Sequence, residues 1–466
     1  MKDGTVETKN LLFIMTDQQT IDTLGVYGNE IVSCAGTDRL GAEGAVFERC
    51  YVASPICCPS RASLWTSQPP RVHGVLANDD GRDIQFPTQI PSLGTVLSEN
   101  GYSTGYFGKW HLGNELSPQA GWQEWWTHLR GSYEQYLEES GLFRFQSSDR
   151  YDQRAEVPYE LAHDTAVTDR TIDFIERHQH EHFAVVCSLR APHDPYVGPF
   201  DGLYSPSDVT LPANCRDELD NKPRSQHSGR PREQFLALGD SQQEREERLR
   251  EVVSSYWGLV HLVELNVVRM LETLDRLGLT DNTLVVFTSD HGDMMGAHGL
   301  LSKGNFMYEE SLKVPLILRC PDSVPNRRVP NVASSIDIVP TILDLLEIAV
   351  PEEMSGITLR QSWDYDHNRR SAAFAEVYET YGYWAPVFTV VTENWKYSWY
   401  LGDSDELYHL AEDPLELTNL ANDAEHLETR RSLRSRIVEW LEATGDLRLS
   451  ELARLMPEYA PDLISR

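Results

Sequence analysis

Apolar and polar positions along this chain fall into blocks that read alternately as strands and helices. Leu11 to Thr16 is an apolar run closing on Asp17, the pattern of a strand buried on both faces whose carboxyl end presents an acid. Ser92 to Glu99 reads as a helix, Gly101 as its stop and Tyr102 to Phe107 as the next strand. Ala166 to His178 gives another helix, followed by a strand from Phe183 to Leu189. From Arg232 to Leu277 the pattern is helical and highly charged, and Thr283 to Ser289 is a buried strand again ending in acid, at Asp290. This alternation predicts an α/β fold, a large mostly parallel sheet sandwiched by helices. Ligands of such sheets gather at the carboxyl ends of the strands, where Asp17 and Asp290 stand.

After Arg370 the texture changes to short strands, Ala373 to Val377, Pro386 to Thr392, Trp395 to Tyr400 and Glu406 to Leu410, then a helix from Glu425 to Ala443. The expected division is a large α/β domain over 1–370 and a small C-terminal domain over 371–466, an antiparallel sheet with one packed helix and a terminal tail. Pro195 to Pro231 lacks periodicity and is expected to be a long surface loop of the kind that borders functional sites. The tail after Gly445, with its Leu-Ser-Glu-Leu-Ala-Arg-Leu-Met phrase, suits either a homo-oligomer contact or a terminal helix packed on its own subunit.

Charge narrows the partners. The chain of 466 residues carries 72 acidic against 41 basic side chains, a net charge of −31, which disfavours nucleic acid or an anionic membrane. An anionic substrate must therefore be drawn by a local positive cluster. Only seven lysines are present, so Lys109 and Lys303 stand out. Met1 to Asn10 is polar and Leu11 to Met15 is too short for a signal-peptide core or a membrane span, so a cytoplasmic location is expected unless a leader has been trimmed. Seven cysteines without framework spacing point to reduced thiols.

The most informative segment is Cys57-Cys58-Pro59-Ser60-Arg61. Pro59 suits the first turn of a helix, and Ala62 to Thr66 continue it. Cys57 is thereby placed at a helix N-terminus, where free N–H groups and the dipole favour negative charge, and Arg61 one turn on can point back to the same place. The pentapeptide resembles the signature of the type I sulfatases, members of the alkaline phosphatase-like superfamily: Cys, any residue, Pro, Ser, Arg. In that family the first Cys is oxidised to 3-oxoalanine (formylglycine), an aldehyde that hydrates to a diol, and by position this residue is Cys57.

Further elements extend the resemblance from Leu11 to Ala421. Asp17-Gln18 matches the first metal element, usually two aspartates, and Asp290-His291 matches the second. The resemblance thus implies a divalent metal held by Asp17, Gln18, Cys57, Asp290 and His291. Ca²⁺ is the family precedent, with Mn²⁺ or Mg²⁺ as alternatives, since Gln18 and His291 also occur in relatives that hydrolyse phosphonate monoesters and phosphodiesters. Gly108-Lys109-Trp110-His111 resembles the element whose Lys binds the sulfate and whose His hydrogen-bonds the nucleophile. His193, in Ala191-Pro192-His193, corresponds to the acid that protonates the leaving oxygen, and Lys303 to a sulfate-binding Lys. Asn78 lies where some relatives contact substrate, whereas His73, His298, Trp122, Trp125 and Trp126 read as scaffold.

The implied catalytic set is Cys57, Arg61, Lys109, His111, His193 and Lys303, with Lys109, His193, Lys303 and Asn78 touching substrate. One diol oxygen attacks sulfur, His193 protonates the departing alcohol, and the second hydroxyl expels sulfate. The expected activity is hydrolysis of an alkyl, aryl or carbohydrate sulfate, with a formylglycine-generating maturation enzyme as partner. The alternative is a phosphonate monoester hydrolase or phosphodiesterase using the same nucleophile.

Overall fold

The computed structural model describes residues 9–78, 84–127, 158–363, 370–381 and 383–445. Twelve strands are described in two sheets. In chain order, the first eight are β1 (Asn10–Asp17), β2 (Ala45–Tyr51), β3 (Ser103–Gly108), β4 (Glu124–Trp126), β5 (Phe183–Pro192), β6 (Thr283–Ser289), β7 (Lys313–Arg319) and β8 (Arg327–Ser334). They form one sheet in the spatial order β4-β3-β5-β1-β6-β7-β2-β8. All neighbours are parallel except β7, which runs against both β6 and β2. The mostly parallel α/β sheet expected from the sequence is thus present.

Alternation of side chains puts the two faces of the central strands into two cores. Leu11, Phe13 and Met15 of β1, with Leu284 and Val286 of β6, join one cluster; Leu12, Ile14, Val285 and Phe287 join the other. Burial on both sides is why these strands read as continuous apolar runs. The main helices are α1 (Ala35–Glu43), α2 (Cys57–Thr66), α3 (Leu93–Glu99), α4 (His163–His178), α5 (Gln242–Leu277), α6 (Ile338–Leu345) and α7 (Leu427–Ala443).

The helical stretch expected from Arg232 to Leu277 is two helices. Arg230–Leu236 ends before Gly239, and α5 restarts behind a capping box in which Ser241 and Glu244 satisfy each other's backbone N–H. The stretch from Pro195 to Pro231, expected as a loop, contains short helical turns at Pro206–Asp208 and Arg224–His227.

All ten residues of α2 are buried. Trp65 packs on Phe13 at a centroid distance of 5.1 Å, on Tyr106 at 5.9 Å and on Trp122 at 6.1 Å. Each such aromatic pair contributes about 0.5–1.5 kcal/mol beyond area burial, so α2 is pinned to β1 and β3. Trp122 is therefore core, and Trp125 stacks on Tyr106, as scaffold residues should.

The second sheet is antiparallel: β9 (Ala373–Thr380), β10 (Tyr383–Val391), β11 (Trp395–Tyr400) and β12 (Glu406–His409), in the order β12-β11-β10-β9. Leu433, Ile437 and Leu441 of α7 cover one face through Phe388, Val390 and Trp399. The other face, with Ala375, Val377 and Val387, joins the core beneath the large sheet. Arg71, just after α2, forms a buried pair with Glu376 of β9 at 2.5 Å and lies 3.6 Å from the ring centre of Trp440. The small sheet is thereby tied to the segment that carries Cys57. All seven cysteines are buried and free. Among the described residues no helix is long and apolar enough to cross a membrane. The terminal tail, expected as an oligomer contact or a helix packed on its own subunit, lies outside the described residues.

Candidate active site

Four strand ends and one helix start build the site. Asp17 closes β1, and Asp290 follows β6 directly, its N–H donating to the Thr16 carbonyl at 3.1 Å. Gln18 turns away with a left-handed φ of 66°, and its N–H donates to Asp290 Oδ1 at 3.0 Å. Cys57 is the first residue of α2, entered from an extended Ile56, and Pro59 falls in the first turn where its missing N–H costs nothing. Lys109 follows Gly108, whose φ is 106° and where a Cβ would lie 1.9 Å from the Ser188 carbonyl. Only glycine lets β3 pass this close to β5 and deliver the lysine inward.

The two carboxylates divide their oxygens between structure and site. Asp17 Oδ2 accepts from Lys109 Nζ, and Asp290 Oδ2 accepts from Arg61 Nε at 2.7 Å. Both Oδ1 atoms face a shared space, 3.9 Å (Asp17) and 3.6 Å (Asp290) from His291 Nε2. Cys57 Sγ closes that space, 3.1 Å from His291 Nε2 and 4.0 Å from Asp17 Oδ1. Donor atoms of Asp17, Cys57, Asp290 and His291 all lie within 4.8 Å of one another. His291 Nδ1 is 2.8 Å from the Gly292 carbonyl, which can only accept, so Nδ1 carries the proton and Nε2 offers its lone pair to the cluster.

Two lysines flank the cluster. Lys109 Nζ is 3.7 Å from Cys57 Sγ, and Lys303 Nζ donates to Gln18 Oε1. Burial raises the cost of a thiolate at Cys57, but Lys109, Lys303 and His291 outweigh it and hold the thiol well below its usual range. Asp17 is likewise buried, and Lys109, His193 and Arg61 override that burial to keep its carboxyl far below the ordinary value. Burial disfavours a charged His291, yet Asp290 and Cys57 together outweigh it and raise the imidazole. The site therefore presents positive potential at the Cys57 sulfur and negative potential at the His291 side, suited to an anion and a cation side by side.

The remaining expected residues border this cluster. His111 hydrogen-bonds Cys57 through its ring, and its carbonyl accepts from Cys58 Sγ at 2.9 Å. Asn78 Oδ1 accepts from the Cys58 N–H at 3.0 Å. His193 lies past the end of β5 with Nδ1 2.6 Å from the Asp194 carbonyl, leaving Nε2 unengaged by that bond. Gln18 directs its amide oxygen at Lys303 and its amide nitrogen at Asp293. His73 and His298 are scaffold: the first bonds Ser63 and Val75, the second Asp217 and Asn214.

Several supporting residues escaped sequence reasoning. Ser188 accepts from Arg61 Nη1 at 3.0 Å and donates to the Lys109 carbonyl at 2.7 Å. Ser60 Oγ donates to the Asp290 carbonyl at 2.5 Å. Asp293 receives the Ser302 N–H at 2.9 Å and the Tyr196 hydroxyl at 3.1 Å. A second acid three residues after Asp290 was a signal for Asp293; nothing local distinguished Ser188 from any strand serine.

Comparison with known proteins identifies the family and the fold. A family model described as Sulfatase matches residues 9–348, and one described as N-sulphoglucosamine sulphohydrolase, C-terminal, matches residues 296–443. The chain is 29% identical over 459 residues to the uncharacterized sulfatase YidJ of Escherichia coli K12, covering 94% of this chain and 88% of that protein. It is 29% identical over 472 residues to an arylsulfatase of Clostridium perfringens, covering 93% and 94%. Its fold matches a phosphonate monoester hydrolase of Agrobacterium radiobacter with a TM-score of 0.78 at 24% identity, covering 94% and 96% of the two chains. With a family model spanning most of its length and a sheet edge built as described, the chain belongs to the sulfatase family.

Proposed function

We propose that this protein hydrolyses a sulfate monoester with the matured side chain of Cys57 as nucleophile, beside one divalent cation held by Asp17, Asp290, His291 and residue 57. The observation that carries the proposal is the convergence of two carboxylate oxygens and one imidazole nitrogen on Cys57 Sγ, with two lysines flanking them. The thiol sulfur stands where the oxygens of the converted side chain would lie. Oxygen donors suit Ca²⁺ or Mg²⁺, and the His291 nitrogen moves the balance toward Mn²⁺. When present, the cation supplies positive charge to the reacting oxygens and the hydrated aldehyde supplies the attacking one.

The chain's own side chains do the rest. Lys109 and Lys303 neutralise the tetrahedral anion, the electrostatic contribution that usually dominates such transfers. Arg61 is fully buried, its Nε on Asp290, its Nη1 on Ser188 and the Lys109 carbonyl and its Nη2 3.8 Å from Asp17 Oδ2, so it acts as a positioning residue. His193 keeps Nδ1–H on the Asp194 carbonyl and presents Nε2 to the leaving oxygen, while His111 is placed to take a proton from residue 57. Gln18 aligns Lys303 from the position expected for a metal ligand. Cys57 is 1% exposed, so a formylglycine-generating maturation enzyme must reach it before α2 packs.

The test is steady-state hydrolysis of an aryl sulfate, a phosphodiester and phenylphosphonate by matured, metal-replete protein. The proposal expects the aryl sulfate to have the highest kcat/KM. Faster phosphonate or phosphodiester turnover would support the second reading, which rests on Gln18 and His291. Inactivity toward all three, with Cys57 converted, contradicts both.

A further inference from the structure

A cleft of about 640 Å³ opens beside the site between the segment 224–232 and the β9–β10 turn. Its volume falls in the range of ligand pockets, roughly 300–1,000 Å³. Three arginines, Arg224, Arg230 and Arg232, line it against one acid, Asp403, an inversion of sign on a chain of net charge −31. Arg224 Nε lies 3.6 Å from Asp403, and Arg232 Nη1 donates to the Gly299 carbonyl at 2.9 Å. Arg230 is exposed, its guanidinium 4.7 Å from the ring centre of Tyr381, and among the described residues it has no carboxylate partner. Trp384 is 51% exposed on the same wall, a large indole left open to solvent.

The cleft adjoins the reacting centre. Its wall includes Gly304, next to Lys303, and Tyr381, whose hydroxyl bonds Ser302 Oγ at 3.2 Å. Thr380 and Tyr381 also line a small opening shared with Lys303, Asn78, Glu379 and Ile56, the residue before Cys57. A sulfate ester held at Lys303 thus has its alcohol half directed along Tyr381 toward Arg230 and Trp384.

Resting on the sulfate-ester reading above, we propose that this cleft takes a sugar ring carrying a second anionic group, a carboxylate or another sulfate. Arg230 binds that group and Trp384 stacks on the C–H face of the ring. Arginine offers a planar fork matched to either oxyanion, and an exposed indole gives an apolar platform for one sugar face. The global negative charge makes the arginine cluster selective: a second anion is admitted here and repelled elsewhere.

The experiment measures inhibition of 4-nitrophenyl sulfate turnover in matured full-length protein by three sugars. N-acetylglucosamine 6-sulfate carries one anion, N-sulfoglucosamine 6-sulfate adds a second sulfate, and a 2-O-sulfated hexuronate adds a carboxylate. At least one doubly charged sugar should bind about tenfold or more tighter than the singly charged one, the factor expected of one charge-assisted hydrogen-bonded contact. Which of the two wins identifies the second anion. Arg230→Gln should erase that preference with 4-nitrophenyl sulfate turnover changed less than about twofold, since the nitrophenyl group carries no second anion, and Trp384→Ala should weaken all three sugars. Equal binding of all three sugars, or a preference untouched by Arg230→Gln, overturns the proposal. If converted protein releases no sulfate at all, the reaction reading fails by itself. Calorimetry of the same sugars on Cys57→Ala and Cys57→Ala/Arg230→Gln protein then decides the cleft, with the same preference and its loss as the expected result.

Discussion

Acid should loosen the helix that carries Cys57, through His73. This imidazole is buried against α2: Nε2 is 2.9 Å from Ser63 Oγ, and the Val75 N–H donates to Nδ1 at 3.1 Å. A backbone N–H occupies Nδ1, so protonation there would set two hydrogens against each other. Burial drops the pKa from 6.5 to about 3. The group is neutral in both states above pH 6.5; below it the unfolded chain gains a proton that the folded chain refuses until about pH 3. Stability from this group is therefore present above pH 6.5 and lost as pH falls through that window. Between pH 7 and pH 5 the linkage amounts to about 2 kcal/mol, from roughly 1.4 kcal/mol per pH unit once the unfolded state is charged. Urea denaturation of wild type and His73→Gln at both pH values reads it: the wild type should lose about 2 kcal/mol more than the variant over this interval. Parallel losses in the two proteins would refute the reasoning.

Other substitutions probe separate parts of the structure. Arg71→Ala strands Glu376 in the core and should destabilise by about 3–5 kcal/mol, seen as a lowered thermal midpoint; replacing both partners by apolar residues should recover most of it. Lys109→Ala removes a cation 3.7 Å from residue 57 and should lower kcat about 10²–10³-fold in a folded protein, measured by aryl sulfate hydrolysis against a circular dichroism control. Gly108→Ala forces a Cβ onto the Ser188 carbonyl and should reduce both thermal stability and turnover, whereas the same change at Gly28, with nothing within 4 Å of its added Cβ but a φ of 109°, should affect stability alone.

Much of this was legible along the chain, for reasons particular to the residues. β1 and β6 are buried on both faces, so composition alone marks them, and the acids at their ends followed. β2 and β8 were not, since Glu48 and Arg49 interrupt the first and Pro330 sits in the second, tolerated there because β8 is an edge strand. The reversed direction of β7 has no local signature. The break at Gly239 was readable in principle from Ser241 and Glu244, but the charge pattern ran across it. Within the site, motif positions located the groups that face the reacting space. They left out Ser188 and Ser60, whose roles exist only because β5 and α2 meet, and gave no sign that the Gln18 oxygen accepts from Lys303.

On the proposed mechanism, residue 57 must be converted for the protein to hydrolyse sulfate esters. Preparations made with graded amounts of maturation enzyme can be scored by peptide mass spectrometry for aldehyde at Cys57 and thiol at Cys58, and the aryl sulfate turnover of each plotted against the converted fraction. Turnover should fall on a straight line through the origin. Full turnover in protein whose Cys57 remains a thiol would contradict it.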